Sequence, residues 1–149
     1  LFKILENGKF KEIKIKNGLE TFGLGTGAAV ADIDGDGILE LLVSHGETGL
    51  QPLTLYKADI NEFNYLRIKP LNKYGAPARG STVTLKSNKR IHSKTIDAGS
   101  GYLCQMEPVA HYGIRENEND IKVEIKWTDG SITILNIKDF NKTYEVKQN

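Results

Sequence analysis

The sequence predicts an all-β fold, and three observations lead to this prediction. Apolar and polar side chains alternate over much of the 149-residue chain, which is the period of a strand with one buried face. Glycine, asparagine and proline separate the apolar segments at short intervals, as turns between strands do. A stripe of apolar residues at helical spacing is hard to find. Short strands joined by tight turns are typical of sandwiches and barrels.

Each predicted strand is a short segment rich in β-branched, aromatic or leucine residues. In order along the chain, these strands are 1–5, 10–15, 28–33, 39–44, 53–57, 65–71, 82–86, 91–96, 121–127, 132–137 and 143–146. The clearest is 121–127, where isoleucine, valine and tryptophan alternate with lysine and glutamate. Asp129 and Gly130 follow as a two-residue turn signal, so 121–127 and 132–137 are predicted to form a hairpin.

An acidic loop lies between two of these strands. Residues 32–40 read DIDGDGILE and place carboxylates at relative positions 1, 3, 5 and 9 around two glycines. Calcium takes six to eight oxygens in a forgiving geometry, so this pattern predicts a Ca²⁺ site. Gly35 and Gly37 reach positive φ at low cost, which lets the chain curl around an ion. The predicted ligands are the side chains of Asp32, Asp34, Asp36 and Glu40, with the backbone carbonyl of Ile38.

Two alternatives compete with this prediction. Asp-Gly pairs are ordinary hairpin connectors, so the segment could be a plain acidic turn, although a turn gains nothing from the third and fourth carboxylates. An EF-hand shares the opening pattern but requires a glutamate at position 12 and a helix on each side. Position 12 is Val43, and both flanks are predicted strands. A calcium site in a β-turn is therefore favoured.

Composition excludes several classes of function. The formal net charge is +1 and 26% of residues are charged, so no global field indicates a nucleic-acid partner. No apolar segment approaches 18 residues, so no membrane span is predicted, and no signal peptide is found. The chain opens on Leu1 rather than on methionine, which indicates a processed or partial product. The missing signal peptide is then uninformative about secretion.

The acidic loop with the preceding GTGAAV resembles the FG-GAP or VCBS repeat over about residues 21–58. This resemblance implies a blade of a β-propeller, and the sequence departs from the family pattern at Glu40, where aspartate is more common. Residues 1–20 resemble the outer strands of a preceding repeat. Residues 1–60 are thus expected to be the C-terminal part of a longer propeller. The alternative is that all 149 residues form one small sandwich with a calcium loop.

The second half resembles a different family. The segments YLRIKPLNKYGAPARGSTVTLKS, TIDAGSGYLCQMEPVAHYGI and IKVEIKWTDGS are similar, in this order, to the ASPIC/UnbV domain. The resemblance covers about residues 61–140 and implies an antiparallel, sandwich-like β-domain over 61–149. An FG-GAP repeat followed by this domain is similar to the cartilage acidic protein family. That family implies a secreted, non-enzymatic, calcium-binding scaffold that engages other cell-surface or matrix proteins.

An enzymatic alternative is a hydrolase. Cys104 and His111 are candidates for nucleophile and base, with Asp97 or Glu107 as the orienting acid. The competing interpretation is that Cys104 packs as a small buried hydrophobe and that His111 caps a turn before Tyr112. A lone cysteine in a secreted protein also implies either a buried thiol or a pairing partner outside this segment.

Further binding sites are weakly indicated. The three histidines, His45, His92 and His111, lack the close spacing of a zinc site. The GSGY segment at 99–102, with Arg79 and Tyr74, could bind sugar or peptide, which keeps a carbohydrate-binding module as an alternative. Its glycines and tyrosines could equally serve turns and a sheet edge. Asn141 opens an N-glycosylation sequon, Asn-Lys-Thr.

Overall fold

A computed structural model describes residues 2–5, 7–13, 25–46, 49–58, 63–102 and 104–149. Within these ranges the chain forms strands and no helix, which confirms the predicted all-β class. The strands are β1 (Phe2–Ile4), β2 (Phe10–Glu12), β3 (Gly25–Ala31), β4 (Glu40–His45), β5 (Leu53–Tyr56), β6 (Asn64–Leu71), β7 (Thr82–Lys86), β8 (Ile91–Thr95), β9 (Ala110–Ile114), β10 (Lys122–Lys126), β11 (Ile132–Asn136) and β12 (Lys142–Lys147).

Every predicted strand overlaps an observed one, although residues 1, 14 and 15 of the first two predictions lie outside the described residues. The predicted hairpin is present as β10 and β11, with Gly130 at φ +87° in its turn. Strand β9 was not predicted, because it is only five residues long and contains Gly113, a residue type that is depleted in strands. The proposal that His111 caps a turn is wrong, since it lies in β9 opposite Arg67 on β6.

The first part of the chain forms two small antiparallel sheets. β1 pairs with β2, and β3, β4 and β5 form a meander. A propeller blade has four strands, and the described residues supply three in this sheet, so the propeller stays a prediction. The predicted domain boundary at residue 60 lies in 59–62, outside the described residues.

The second part is a sandwich of two sheets, with strand orders β11-β10-β7-β8 and β12-β6-β9. Inward residues of both sheets pack into one core: Leu66, Ile68, Ala78, Val83, Leu85, Ile96, Ala110, Tyr112, Ile114, Ile121, Val123, Ile125 and Trp127. The buried Tyr112 hydroxyl donates a 2.9 Å hydrogen bond to the Val83 carbonyl and so ties the sheets together. Burial raises the pKa of Tyr112, so its hydroxyl remains a donor at neutral pH.

One pairing departs from the predicted antiparallel arrangement, because β12 runs parallel to β6. After β11 the chain crosses to the other sheet and enters it in the same direction as β6. Asn141 stands at this entry with φ +57°, a conformation that asparagine tolerates better than most residues. Its Oδ1 accepts a 2.9 Å hydrogen bond from the Tyr65 N–H. No helix in the described part of the chain is long and apolar enough to cross a bilayer.

Strand β6 presents two different faces. Leu66, Ile68 and Pro70 point into the core, while Tyr65, Arg67 and Lys69 are only partly covered and point outward. The loop between β3 and β4 packs against this outer face. The acidic loop and the sandwich are therefore in direct contact, and their contact defines the candidate site.

Candidate metal centre

The acidic loop, residues 32–40, is built on the ends of β3 and β4. Ala31 and Glu40 are register partners in this antiparallel pair, so Asp32 and Glu40 enter the loop side by side. Asp32 is 6% exposed and Glu40 is 2% exposed, whereas Asp34 is exposed. Gly35 and Gly37 both have positive φ, at +78° and +87°, as expected for a tightly curled loop.

Each of the four carboxylates uses one oxygen to accept a backbone N–H of its own loop. These bonds run from Gly37 to Asp32 Oδ2 (3.2 Å), from Ile33 to Glu40 Oε2 (2.8 Å), from Asp36 to Asp34 Oδ1 (3.3 Å) and from Ile38 to Asp36 Oδ1 (2.8 Å). The loop is thus held in shape by its own acids. The second oxygen of each carboxylate is left for another partner.

Two of these second oxygens are buried without a hydrogen bond, namely Oδ1 of Asp32 and Oε1 of Glu40. A buried acceptor without a partner is costly and calls for an explanation. One ligand atom each from Asp32, Asp34 and Glu40 lie within 4.8 Å of one another. Oxygens bound to one Ca²⁺ at roughly 2.3–2.6 Å are at most about 5 Å apart, so this spacing fits a calcium ion.

Lys57, which follows β5, reaches into the same cluster. Its ammonium forms an ion pair with Asp34 Oδ2, lies 2.7 Å from Asp36 Oδ2 and lies 3.7 Å from Glu40 Oε1. The hydrogen bond from Lys57 lowers the pKa of Asp36, with a further contribution from the Ile38 N–H. Hydrogen bonds with Asp34 and Asp36 raise the pKa of Lys57 in turn.

Arg67 holds the other side of the loop. Its Nη1 lies 3.1 Å from Asp32 Oδ2, and its Nη2 forms an ion pair with Glu107. The Arg67 side chain is 12% exposed and that of Asp32 is fully covered, so this ion pair is shielded from water. Glu107, considered above as an orienting acid, is therefore engaged by a guanidinium.

An aromatic pair completes the contact between the loop and the sandwich. The rings of Tyr65 and His111 stack with centroids 6.0 Å apart and planes 7° from parallel. His111 Nε2 lies 3.0 Å from the Gly37 carbonyl, and the Tyr65 hydroxyl donates to the Gly35 carbonyl at 3.4 Å. A Cβ at Gly37 would come within 2.0 Å of the Tyr65 ring. Burial is the main cause that lowers the pKa of His111.

The structure brings together only some of the predicted ligands. Asp32, Asp34 and Glu40 converge, while Asp36 lies outside that compact group and shares the Lys57 ammonium with Asp34. The Ile38 carbonyl as a ligand remains a prediction. The sequence analysis missed Lys57 and Arg67. One signal was available for Arg67, because an arginine between two apolar strand residues, Leu66 and Ile68, needs a carboxylate partner when it is covered.

The residues of the hydrolase alternative are engaged separately. The Cys104 thiol donates to the Ala28 carbonyl at 3.2 Å, whereas His111 faces Gly37. The Asp97 carboxylate accepts the Gly99 N–H at 3.1 Å. Among the described residues, no hydrogen bond links Cys104 to His111, and the half-buried Cys104 forms a β-bridge with Gly101.

The zinc alternative gains no support from the described ranges, where Asp32, Asp34 and Glu40 are the one group of His, Cys, Asp or Glu placed to share an ion. His45 Nδ1 lies 2.8 Å from the Pro52 carbonyl, and His92 packs edge-on against Tyr112.

The residues of the candidate sugar site differ in their surroundings. Arg79 donates to the Asp97 carbonyl at 2.6 Å and so supports the fold locally. Tyr74 and Tyr102 are 81% and 55% exposed. The sequon residue Asn141 is exposed, and its Nδ2 donates to Asn64 Oδ1 at 2.9 Å.

Known proteins resemble this chain over both halves. A family model described as ASPIC and UnbV matches residues 72–149. Cartilage acidic protein 1 of Homo sapiens is 41% identical over 154 residues, covering 98% of this chain and 23% of that protein. The Mus musculus protein of that name is 40% identical, covering 98% and 24%, and the Xenopus tropicalis protein is 47% identical over 124 residues, covering 82% and 19%.

The chain therefore spans about a quarter or less of the length of these relatives. The matched region of the family model includes β7 to β12, which supply most of the sandwich. Together with the order of the motifs described above, this match establishes that the chain belongs to the ASPIC and UnbV family.

Proposed function

We propose that this chain is a calcium-stabilised, non-enzymatic module of a longer secreted protein, and that it presents its sandwich to other extracellular or cell-surface proteins. The observation that carries the proposal is that Asp32 and Glu40, which converge with Asp34, each bury an oxygen that has no hydrogen bond. A dication among these oxygens would supply the missing partner and reduce the repulsion between carboxylates.

The charge of the site also supports calcium. Four carboxylates face two cationic groups, Lys57 and Arg67. Negative charge therefore remains in excess even with both cations in place, and this excess would attract a divalent cation. Calcium would be held by Asp32, Asp34 and Glu40, with Asp36 and the Ile38 carbonyl as further ligands.

The role proposed for calcium is mechanical. The loop lies against Tyr65, Arg67 and His111 of the sandwich, so a stiff loop would orient the sandwich on the part of the protein that precedes it. The extracellular location and a protein partner are inferred from the likeness to proteins named cartilage acidic protein 1. That name denotes no enzymatic activity.

The first test is thermal unfolding with and without calcium. An extracellular site binds with a dissociation constant on the order of 10⁻⁴–10⁻³ M. About 10 mM calcium would then stabilise the fold by about 1.4–2.7 kcal/mol relative to EDTA, which raises Tm by about 3–10 °C. Equal melting temperatures in EDTA and in excess calcium would contradict the proposal.

The second test removes one ligand. Asp34→Ala should abolish most of the calcium-dependent shift in Tm while the 61–140 region stays folded, because Asp34 lies on the exposed side of the loop. Asp139→Ala is the matched control, since Asp139 is an exposed aspartate that pairs with Lys142. Its calcium response should equal that of the wild type.

Carbohydrate binding is the second candidate, and the exposed rings of Tyr74 and Tyr102 are the observation that favours it. Aromatic rings with one wet face are suited to packing against other molecules. A glycan array with the wild type and the Tyr74→Ala and Tyr102→Ala variants tests it. Binding that survives both substitutions would exclude these rings as the sugar site.

A further inference from the structure

We propose that Lys57 is a built-in competitor for the metal ion and sets the affinity of the site for calcium. This inference rests on the proposed function, since it assigns a regulator to the same site. Its basis is that the Lys57 ammonium contacts Asp34 and Glu40, two of the carboxylates that a calcium ion would need. Nothing in the likeness to known proteins assigns a role to this residue.

The first step in the argument is the placement of Lys57 by the sheet. Leu41 on β4 and Tyr56 on β5 are register partners. Glu40 precedes Leu41 and Lys57 follows Tyr56, so these two residues also lie side by side. Cross-strand neighbours in an antiparallel pair point to the same face of the sheet. The backbone therefore directs a lysine toward the acidic loop, and the contact does not depend on a chance orientation of a surface side chain.

The second step is the competition for oxygens. The ammonium pairs with Asp34 Oδ2 and Asp36 Oδ2 and lies 3.7 Å from Glu40 Oε1. Asp34 and Glu40 also belong to the group that converges with Asp32. Calcium bound at roughly 2.3–2.6 Å from these carboxylates would stand close to the ammonium, and two cations beside the same carboxylates repel each other. Calcium and the Lys57 ammonium therefore compete for these carboxylates.

The third step is that Lys57 can leave. Its side chain is 41% exposed, and a lysine has a flexible four-carbon stem with a strongly hydrated head. The ammonium can swing into water without movement of β5. Arg67 differs, because its side chain is 12% exposed and is held between Asp32 and Glu107. Of the two cations at the site, Lys57 is the one that calcium would displace.

The experiment is calorimetric titration of calcium into EDTA-stripped protein at constant pH and ionic strength. The variants are wild type, Lys57→Gln, Lys57→Arg and Lys86→Gln. Lys86 is the matched control, because it is a strand lysine of similar exposure paired with Glu124 on the far sheet. Lys57→Gln should bind calcium at least about tenfold more tightly, given the removal of one positive charge within about 4–5 Å of the ion. Lys57→Arg and Lys86→Gln should bind within about twofold of the wild type.

A stability measurement separates competition from a purely structural role. Lys57→Gln should melt below the wild type in EDTA, because the carboxylates lose their ammonium, and the deficit should vanish or reverse in excess calcium. A residue that merely supports the fold would lower Tm under both conditions. The same melting curves also show whether the Lys57→Gln variant folds.

The outcomes distinguish the two proposals. Wild-type binding with equal or weaker binding by Lys57→Gln would overturn the role of Lys57 and leave the calcium site standing. Calcium binding by Lys57→Gln alone would support the competition. It would also show that Lys57 occupies the site in the wild type, which would contradict the proposed function. Binding by neither protein would overturn both.

Discussion

Nη1 of Arg67 lies 3.1 Å from Oδ2 of Asp32. The same carboxylate belongs to the candidate metal centre, and its other oxygen, Oδ1, is buried without a hydrogen bond. One aspartate is thus shared between the acidic loop and strand β6 of the sandwich. The loop cannot change shape without disturbing this ion pair.

The first prediction concerns this pair. Arg67→Met should lower the free energy of unfolding by about 3 kcal/mol, because it leaves a buried carboxylate without its cation. The Asp32→Asn/Arg67→Met double variant should cost about 2 kcal/mol less than the sum of the single variants. Urea unfolding in EDTA measures all three without interference from calcium.

The control is the exposed pair of Lys69 and Glu145, with side chains 38% and 57% exposed. The corresponding Lys69→Met and Glu145→Gln cycle should give a coupling of at most about 1 kcal/mol. If the losses in free energy of unfolding for the Asp32 and Arg67 substitutions were additive, the two side chains would act independently.

The second prediction uses two glycines of the same loop. Both have positive φ, but a Cβ at Gly37 would collide with the Tyr65 ring, whereas one at Gly35 meets nothing within 4 Å. Gly35→Ala should cost about 1 kcal/mol from backbone strain alone. Gly37→Ala should cost at least about 2 kcal/mol, because Tyr65 must also leave its stack with His111.

Chemical denaturation of the two variants, with tyrosine fluorescence as a second probe, measures the difference. Tyr65 should become more solvent-exposed in Gly37→Ala only. Equal costs for the two substitutions would argue that the ring is not packed on the loop.

The third prediction concerns pH. Burial holds the pKa of His111 below its usual value of 6.5, so the folded state favours the neutral ring. The unfolded chain binds the proton more readily, and stability is therefore present above pH 6.5 and is lost as the pH falls below it. The wild type should lose stability between pH 7.5 and pH 5.5.

His111→Gln keeps a donor for the Gly37 carbonyl but cannot titrate. Its free energy of unfolding should depend less on pH over the same interval, and His92 serves as an internal constant because it is present in both proteins. Parallel pH profiles for wild type and His111→Gln would contradict the assignment.

The fourth prediction concerns the bond between the two sheets. Tyr112→Phe removes the donor to the Val83 carbonyl at no cost in packing and should destabilise the sandwich by about 1–1.5 kcal/mol. Tyr144→Phe is the matched control, since its hydroxyl donates to the Asp139 carbonyl at an exposed position. That substitution should cost less than about 0.5 kcal/mol. A larger effect at Tyr144 than at Tyr112 would reverse the expected dependence on burial.

The strands were largely predictable because their pattern is local. Alternation over 121–127 needs no knowledge of the partner strand, and β10 is observed within it. Strand β9 was missed although Ala110, Tyr112 and Ile114 alternate with outward residues, because the strand is short and includes a glycine. The parallel pairing of β12 with β6 depends on where the chain crosses between sheets, which no local pattern encodes.

Consecutive residues were enough to predict the acidic loop, which carries four carboxylates and two glycines between two strands. Such short-range features follow from the identity of neighbouring residues. The burial of the carboxylate oxygens and the cations that contact them depend on how separate elements pack together. Lys57 reaches the acidic loop through the pairing of β5 with β4, whereas Arg67 reaches it because the loop packs against strand β6 of another sheet. The charge balance of the site is therefore a property of the fold.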